Sequence, residues 1–324
     1  MTATTMTRPG GWRAVATKEI ADAVTSGRFL ILLVILGLAA AAPVYFASGD
    51  IRNAAEQASG AQAVFLALFT IGHDPVPSFV GLIGFLAPLL GIAFGFDAVN
   101  GERSQGTLPR LLAQPIHRDD VINGKFVAGL TVIGIVVLAM TALVAGIGLL
   151  RLGIVPAIGE VERLLAWLVV TIVYIGLWLA FATLCSVLTG RAATSALVAI
   201  GVWLALTLFG TLLADLIAGA LAPLSANPTI DETIAHSQAM QLLSFISPDS
   251  IFQQATAVIL NPGITALSVS GPGQLIQLAQ QIPSVLSLNQ SLLIAWPYVV
   301  TLVALTVVSF AGAYVAFLRQ EVRA

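Results

Sequence analysis

A metal site needs His, Cys, Asp or Glu at ligand spacing, and this sequence offers none: His73, His117 and His236 fall in three separate loops. Cys185 stands alone inside an apolar run, which excludes a disulfide framework and a thiol metal site. No serine has the G-x-S-x-G context of an activated nucleophile. The phosphate-cradling pattern G-x-x-x-x-G-K-[ST] also fails, since Gly124-Lys125 is followed by Phe126 and position 119 is Asp119. The chain therefore has no route of its own to ATP hydrolysis through that loop, and no cofactor site is expected in it. Direct metal transport finds no support either, because no cluster of His, Cys or Met lines any apolar stretch.

The residues that remain must be read through the elements that carry them. Of 324 residues, 58% are hydrophobic and only 9% charged, with a mean hydropathy of +0.96. A soluble domain carries roughly 25% charged residues. The net charge of -2 argues against a nucleic-acid partner, which would require a concentrated basic face. Six apolar runs, at about Phe29 to Ala47, Phe79 to Val99, Phe126 to Leu150, Leu164 to Leu188, Ala192 to Ala218 and Ile294 to Leu318, are long enough to cross ~30 Å of hydrocarbon as helices. Ahead of them, Trp12, Val15, Ala16, Ile20, Ala23 and Val24 recur at helical spacing, so residues 12–27 read as an amphipathic helix in the membrane interface. The expected fold is all-α and polytopic, a single transmembrane domain over residues 1–324.

Orientation follows from Lys and Arg, which favour cytoplasmic loops. With both termini cytoplasmic, 11 of the 14 basic residues lie inside and Arg52, Arg151 and Arg163 outside. The long segment 219–293 has Asp231, Glu232 and Asp249 but no Lys or Arg, and is expected to be extracytoplasmic. In it, Ile251 to Leu260 reads as a short helix stopped by Asn261-Pro262, so short helices should pack on or dip into the outer leaflet between spans five and six. Ala63 to Ile71 is a smaller case of the same kind.

An ionisable residue within a span is ordinarily a functional candidate because hydrocarbon is so hostile to charge. Only Asp97 and Asp215 qualify, each near a helix end. With no charge expected at mid-membrane, a proton-coupled transporter, a charged-filter channel and an intramembrane enzyme are all disfavoured. Gly91 and Gly95 form a G-x-x-x-G in the second span, which admits close helix packing either within one subunit or across a dimer.

That leaves the polar stretch Phe96 to Phe126, and its cytoplasmic loop at residues 100–125, as the best functional candidate. Thr107 can cap a short helix that has Pro109 in its first turn and Leu108, Leu111 and Leu112 on one face; Gln114-Pro115 ends it. Arg118-Asp119-Asp120 offers the cap and acidic first turn of the next span. A leucine face with flanking charge suits a soluble partner, and equally suits lipid headgroups.

The run Glu102-Arg103-x-x-Gly106-Thr107-Leu108-x-x-Leu111-Leu112-x-x-Pro115-Ile116-x-Arg118, followed by Gly124-Lys125, resembles the signature of type 2 ABC transporter permeases, the exporter-type family. It is especially similar to the branch containing the permease of the nitrous-oxide-reductase maturation system. Lys18-Glu19 through Ser26-Gly27-Arg28-Phe29, and Ser247-Pro248-Asp249-Ser250-Ile251-Phe252, resemble further patterns of that family.

The resemblance implies a multi-pass subunit of the cell membrane, plasma or inner, that pairs with two copies of a separate ABC ATPase. ATP and Mg would be bound by that partner. A homodimer or a paralogous permease half would complete the pathway, and an extracytoplasmic partner could engage segment 219–293. Leu108, Leu111 and Leu112 would be the apolar contacts of a coupling helix, with Glu102, Arg103, Arg110 and Arg118 around them. The competing expectation is a non-transporting membrane scaffold that recruits a soluble partner through residues 100–125.

Overall fold

The computed structural model describes residues 11–49, 64–74, 76–104, 106, 117–225, 228–261 and 286–319. Among these, every regular element is helical, save one isolated bridge between His73 and Val76. Six helices are long and apolar enough to cross a membrane. They are α2 (Gly27–Phe46), α4 (Phe79–Gly95, prolonged through a turn into α5, Asn100–Ser104), α6 (Arg118–Ile147), α7 (Ile158–Leu188), α8 (Ala192–Leu221) and α11 (Leu288–Arg319). The remaining helices are α1 (Gly11–Thr25), α3 (Val64–Thr70), α9 (Ile230–Leu243) and α10 (Pro248–Leu260). The all-α, six-span expectation therefore holds.

Several spans run further than their apolar stretches. α6 begins at Arg118 rather than Phe126, and α11 at Leu288 rather than Ile294. The cause is capping, which lets polar residues continue the helix above the hydrocarbon. Ser26 Oγ accepts from Phe29 N at the start of α2, and Ser78 Oγ accepts from Gly81 N at the start of α4. At α6 the cap is His117, one residue earlier than the sequence suggests, and the Asp120 carboxylate accepts from the His117 backbone N–H at 3.2 Å.

α7 is the hub of the bundle. From Val170 to Val187 it carries no charge and exposes no residue, as the centre of a bundle requires, and the helix touches α4, α6, α8, α10 and α11. The two glycines of the second span explain part of this. A Cβ on Gly91 would stand 2.5 Å from Ile175 O, and one on Gly95 would stand 2.7 Å from both Ala182 Cβ and Leu179 O. Packing within one subunit thus accounts for the G-x-x-x-G.

The segment between spans five and six enters the bundle more deeply than an outer-leaflet helix would. α9 runs along α8, a short 3-10 turn at Ser244–Ile246 reverses the chain, and α10 returns against α7. Ser247 Oγ donates to Leu206 O at 3.2 Å, and Leu206 lies midway along α8. Tyr174, midway along α7, stacks on Phe252 of α10 with ring centroids 4.4 Å apart. The tip of this hairpin accordingly sits at mid-span. The spans themselves carry no central charge, but the hairpin brings Asp249 to that level, which corrects the expectation of an uncharged middle.

At the other end of α10, Arg163 is buried and holds the hairpin in place. Its Nη1 donates to Ile259 O at 2.8 Å and to Ser291 Oγ at 3.0 Å, and Nη2 donates to Leu286 O. One guanidinium thereby ties the last turn of α10 to the beginning of α11. Glu160, one turn earlier, accepts from the backbone N–H groups of Phe65, Leu66 and Ala157, so it caps α3 and α7 together.

Candidate functional site

The stretch that sequence marks as functional enters and leaves the described structure through two helical ends. α5 carries Glu102 and Arg103 into the loop, and α6 leaves it at Arg118. Gly106 adopts φ +65°, a left-handed conformation that favours glycine, and its N–H donates to Arg103 O at 3.2 Å. Thr107, Leu108, Arg110, Leu111, Leu112 and Pro115 lie outside the described residues. Arg103, Gly106 and Arg118 are exposed around the opening, while Glu102 is largely buried.

Glu102 is buried against Lys125, two turns into α6. Lys125 Nζ lies 2.8 Å from Glu102 Oε1 and 3.0 Å from Glu19 Oε1 of α1, and only 11% of the lysine side chain is exposed. An ammonium taken out of water needs such close partners to offset its desolvation. Lys18 extends the network outward to Glu19 and Asp22 at 3.5 and 3.4 Å, where exposure makes the pairs weak.

The approach of α1 that permits this pairing depends on Gly124. A Cβ there would stand 2.7 Å from Val15 Cβ and 2.8 Å from Trp12 O. Thus α1 does not simply lie in the interface: Val15 and Ala16, two of its apolar residues, are buried in this fold.

α5 has a second anchor in α7. Ser186 Oγ accepts from the backbone N–H groups of Val99 and Asn100 at 3.1 and 3.2 Å, capping α5 from a neighbouring helix, and Asn100 Nδ2 donates to Thr189 Oγ1 at 3.1 Å. These contacts fix both ends of the loop to one body made of α1, α5, the start of α6 and the end of α7.

Between α1, the end of α4 and α6 lies a cleft of about 740 Å³. Its polar wall includes Asp97, Glu102 and Lys125, and its apolar wall includes Phe29, Phe94 and Val132. Asp97 is therefore a cleft residue. Asp215 is exposed near the opposite end of α8 and joins nothing here.

No group of three or more His, Cys, Asp or Glu that could hold a metal occurs among the described residues. His73 lies at the bridge to Val76, His117 caps α6, and His236 sits on helix α9 instead of in a loop, with Nδ1 2.9 Å from Ala222 O. What the described residues offer is mechanical: charged struts and caps.

Sequence reasoning placed Glu102, Arg103, Gly106 and Arg118 at this end but missed Glu19, Lys125, Ser186 and Asn100 as structural partners. The pairing of Lys125 with Glu19 spans 106 positions, and no local pattern encodes it. Lys125 stood inside the motif, and only its burial distinguishes it.

Comparison with known proteins adds to this geometry. A family model described as ABC-2 family transporter protein matches residues 13–322. A Pseudomonas aeruginosa protein named probable ABC transporter permease protein NosY is 31% identical over 149 residues, covering 46% of this chain and 47% of that protein. A Stutzerimonas stutzeri protein of the same name is 33% identical over 142 residues, covering 42% of this chain and 49% of its own length. The chain thus spans about half the length of the curated relatives it matches.

Proposed function

The chain belongs to the ABC-2 family of transporter proteins, and we propose that it is the membrane-spanning subunit of an ATP-driven exporter, forming a single transmembrane domain over residues 1–324. ATP and Mg are bound by a separate ABC ATPase, and a second copy or a paralogous half completes the pathway. The names of the two relatives and the lack of a phosphate loop support this reading. Both termini and the loop after Ser104 face the cytoplasm, where basic residues such as Lys18, Arg103, Arg118 and Lys125 gather at one end of the bundle.

The observation that carries the reading is the braced loop. Glu102 and Lys125, on the two helical ends that flank residues 105–117, are paired at 2.8 Å, and Glu19 joins them from α1. A loop mounted this way passes force from a docked partner into the helices and loses little of it to local bending. Leu108, Leu111 and Leu112 supply the apolar docking face, with Arg110 and Pro115 beside them. The stimulated ATPase then works through α5 and α6 on the first, second and fifth spans.

Leu111→Asp and Leu112→Asp test the docking role. Each variant should insert in the membrane at normal levels while losing association with the cognate ATPase and stimulation of ATP turnover. Normal stimulation would refute it. A scaffold without transport activity would retain the association but show no ATP-dependent movement of cargo in proteoliposomes.

A further inference from the structure

We propose that the cleft between α1, the end of α4 and α6 binds a phospholipid with a primary-amine headgroup, drawn from the leaflet at this end of the bundle. Its lining residues fall on two sides of one level. Lys18, Glu19 and Asp22 precede Phe29, where the apolar run of span one begins; Glu102 follows Val99, where that of span two ends; Lys125 precedes Phe126, where that of span three begins. Phe29, Ala93, Phe94, Ala128 and Val132 line the cleft from the apolar side of the same level. The cleft therefore crosses the boundary of the hydrocarbon, charged at one end and apolar at the other.

Its volume of about 740 Å³ lies within the roughly 300–1,000 Å³ of small-molecule sites, which combine an apolar lining with a few placed polar groups. A wholly water-soluble molecule leaves the aromatic end unfilled. A plain hydrocarbon leaves the charged end unmet. An amphiphile matches both ends, and at the boundary of the hydrocarbon the surrounding membrane supplies phospholipid.

The headgroup follows from the charges. The described lining residues include the carboxylates of Glu19, Asp22, Asp97 and Glu102 and the ammoniums of Lys18 and Lys125. A head with negative charge alone gains little against this set, whereas a zwitterion finds partners for both of its charges. Lys125 is committed to Glu19 and Glu102 at 3.0 and 2.8 Å. Lys18 and Asp22 are the pair available for exchange: they stand one turn apart on α1, their side chains are 60% and 63% exposed, and such an exposed contact, here 3.4 Å, is weak.

Binding exchanges that one pair for two. The lipid phosphate accepts from the Lys18 ammonium, and the lipid ammonium donates to the Asp22 carboxylate that Lys18 has left. The lipid also displaces water from the cleft, which strengthens both new pairs relative to the exposed one they replace. A primary amine is needed because it brings N–H donors to Asp22, and a choline head has none. Ala93 and Phe94, both partly exposed in the cleft, meet the start of the acyl chains, which continue into the bilayer. A lipid held this way joins α1 to the ends of spans one, two and three.

The test uses the full chain alone, so its result does not depend on any ATPase. The protein is placed in nanodiscs of equal parts phosphatidylethanolamine and phosphatidylcholine with identical acyl chains, then released into native mass spectrometry. The wild type should retain phosphatidylethanolamine in excess over phosphatidylcholine. Asp22→Asn should erase that excess, and Ala93→Trp, which fills the apolar end, should lose the bound lipid. Asp22 is exposed, so its variant keeps the test intact should the tryptophan variant fail to insert. Wild-type protein that retains no lipid, or retains the two in the ratio of the membrane, would overturn the proposal, as would a preference untouched by both substitutions. Binding of water-soluble phosphoethanolamine with no chain attached would overturn the lipid as the ligand.

Discussion

Gly124 stands against α1 with no room for a side chain, so that a Cβ placed on it would lie 2.7 Å from the Cβ of Val15. That closeness brings α1, read from sequence as a surface helix, into the body of the fold. Gly124→Leu should push α1 away and break the pairing of Glu19 with Lys125. Overpacking of this kind typically costs about 1–3 kcal/mol. Limited proteolysis in detergent should then release the segment before Ser26, while the spans stay intact. Unchanged protection of α1 would show that the contact is dispensable.

Lys125→Met removes the cation that pairs with both Glu19 and Glu102. Breaking a fully buried pair costs about 3–5 kcal/mol. Glu19 is 25% exposed and Glu102 is 14% exposed, so water will screen part of the effect and a loss of about 1–3 kcal/mol is expected. Lys125→Met combined with Glu19→Gln and Glu102→Gln should recover part of the thermal stability lost by the single variant. Failure of the triple variant to recover any would locate the damage in packing and not in charge.

Arg163→Met should loosen the hairpin at its far end. The guanidinium donates to Ile259 O, Ser291 Oγ and Leu286 O, and a hydrogen bond from a charged group contributes about 1.5–3 kcal/mol. Hydrogen exchange should speed up over the last turn of α10 and the first turn of α11 and stay slow in α7. Equal acceleration throughout α7 would instead mean that Arg163 supports the whole bundle.

Glu232 gives a pH dependence of definite sign. The Ser225 hydroxyl and the Thr229 backbone N–H, both donating to its carboxylate, hold its pKa below the ordinary value. A depressed carboxylate stabilises the fold above its unfolded pKa, and the contribution disappears as pH falls through the folded value. Acidification across the carboxylate range should therefore expose the first-turn amides of α9 to exchange. Glu232→Gln should be insensitive to the same change in pH.

How much of this could be read in advance depends on the range of each signal. Apolar run length gave six spans, and Asn261-Pro262 marked the end of α10, because both are local effects of hydrocarbon thickness and missing donors. Gly91 and Gly95 signalled close packing, but only the approach of α7 decides that the neighbour belongs to the same chain. Long-range pairs stayed hidden: Ser186 looks like any small polar residue of a membrane helix until α5 presents two N–H groups to it. Asp249 was visible as an acid near a turn. Its depth follows from the path of α9 and α10, which composition does not encode.

The cap that Ser186 places on α5 has a consequence for stiffness. A load applied beyond Ser104 cannot bend α5 alone without breaking the bonds from Val99 N and Asn100 N to that hydroxyl. The cheaper response is for α7 to travel with it. Because α7 occupies the axis of the bundle, a local tug at its end spreads to α4, α6, α8, α10 and α11 at once. The subunit should accordingly yield as a lever with one fulcrum, so that softening Ser186 to alanine would blunt the motion of every span while leaving each helix folded.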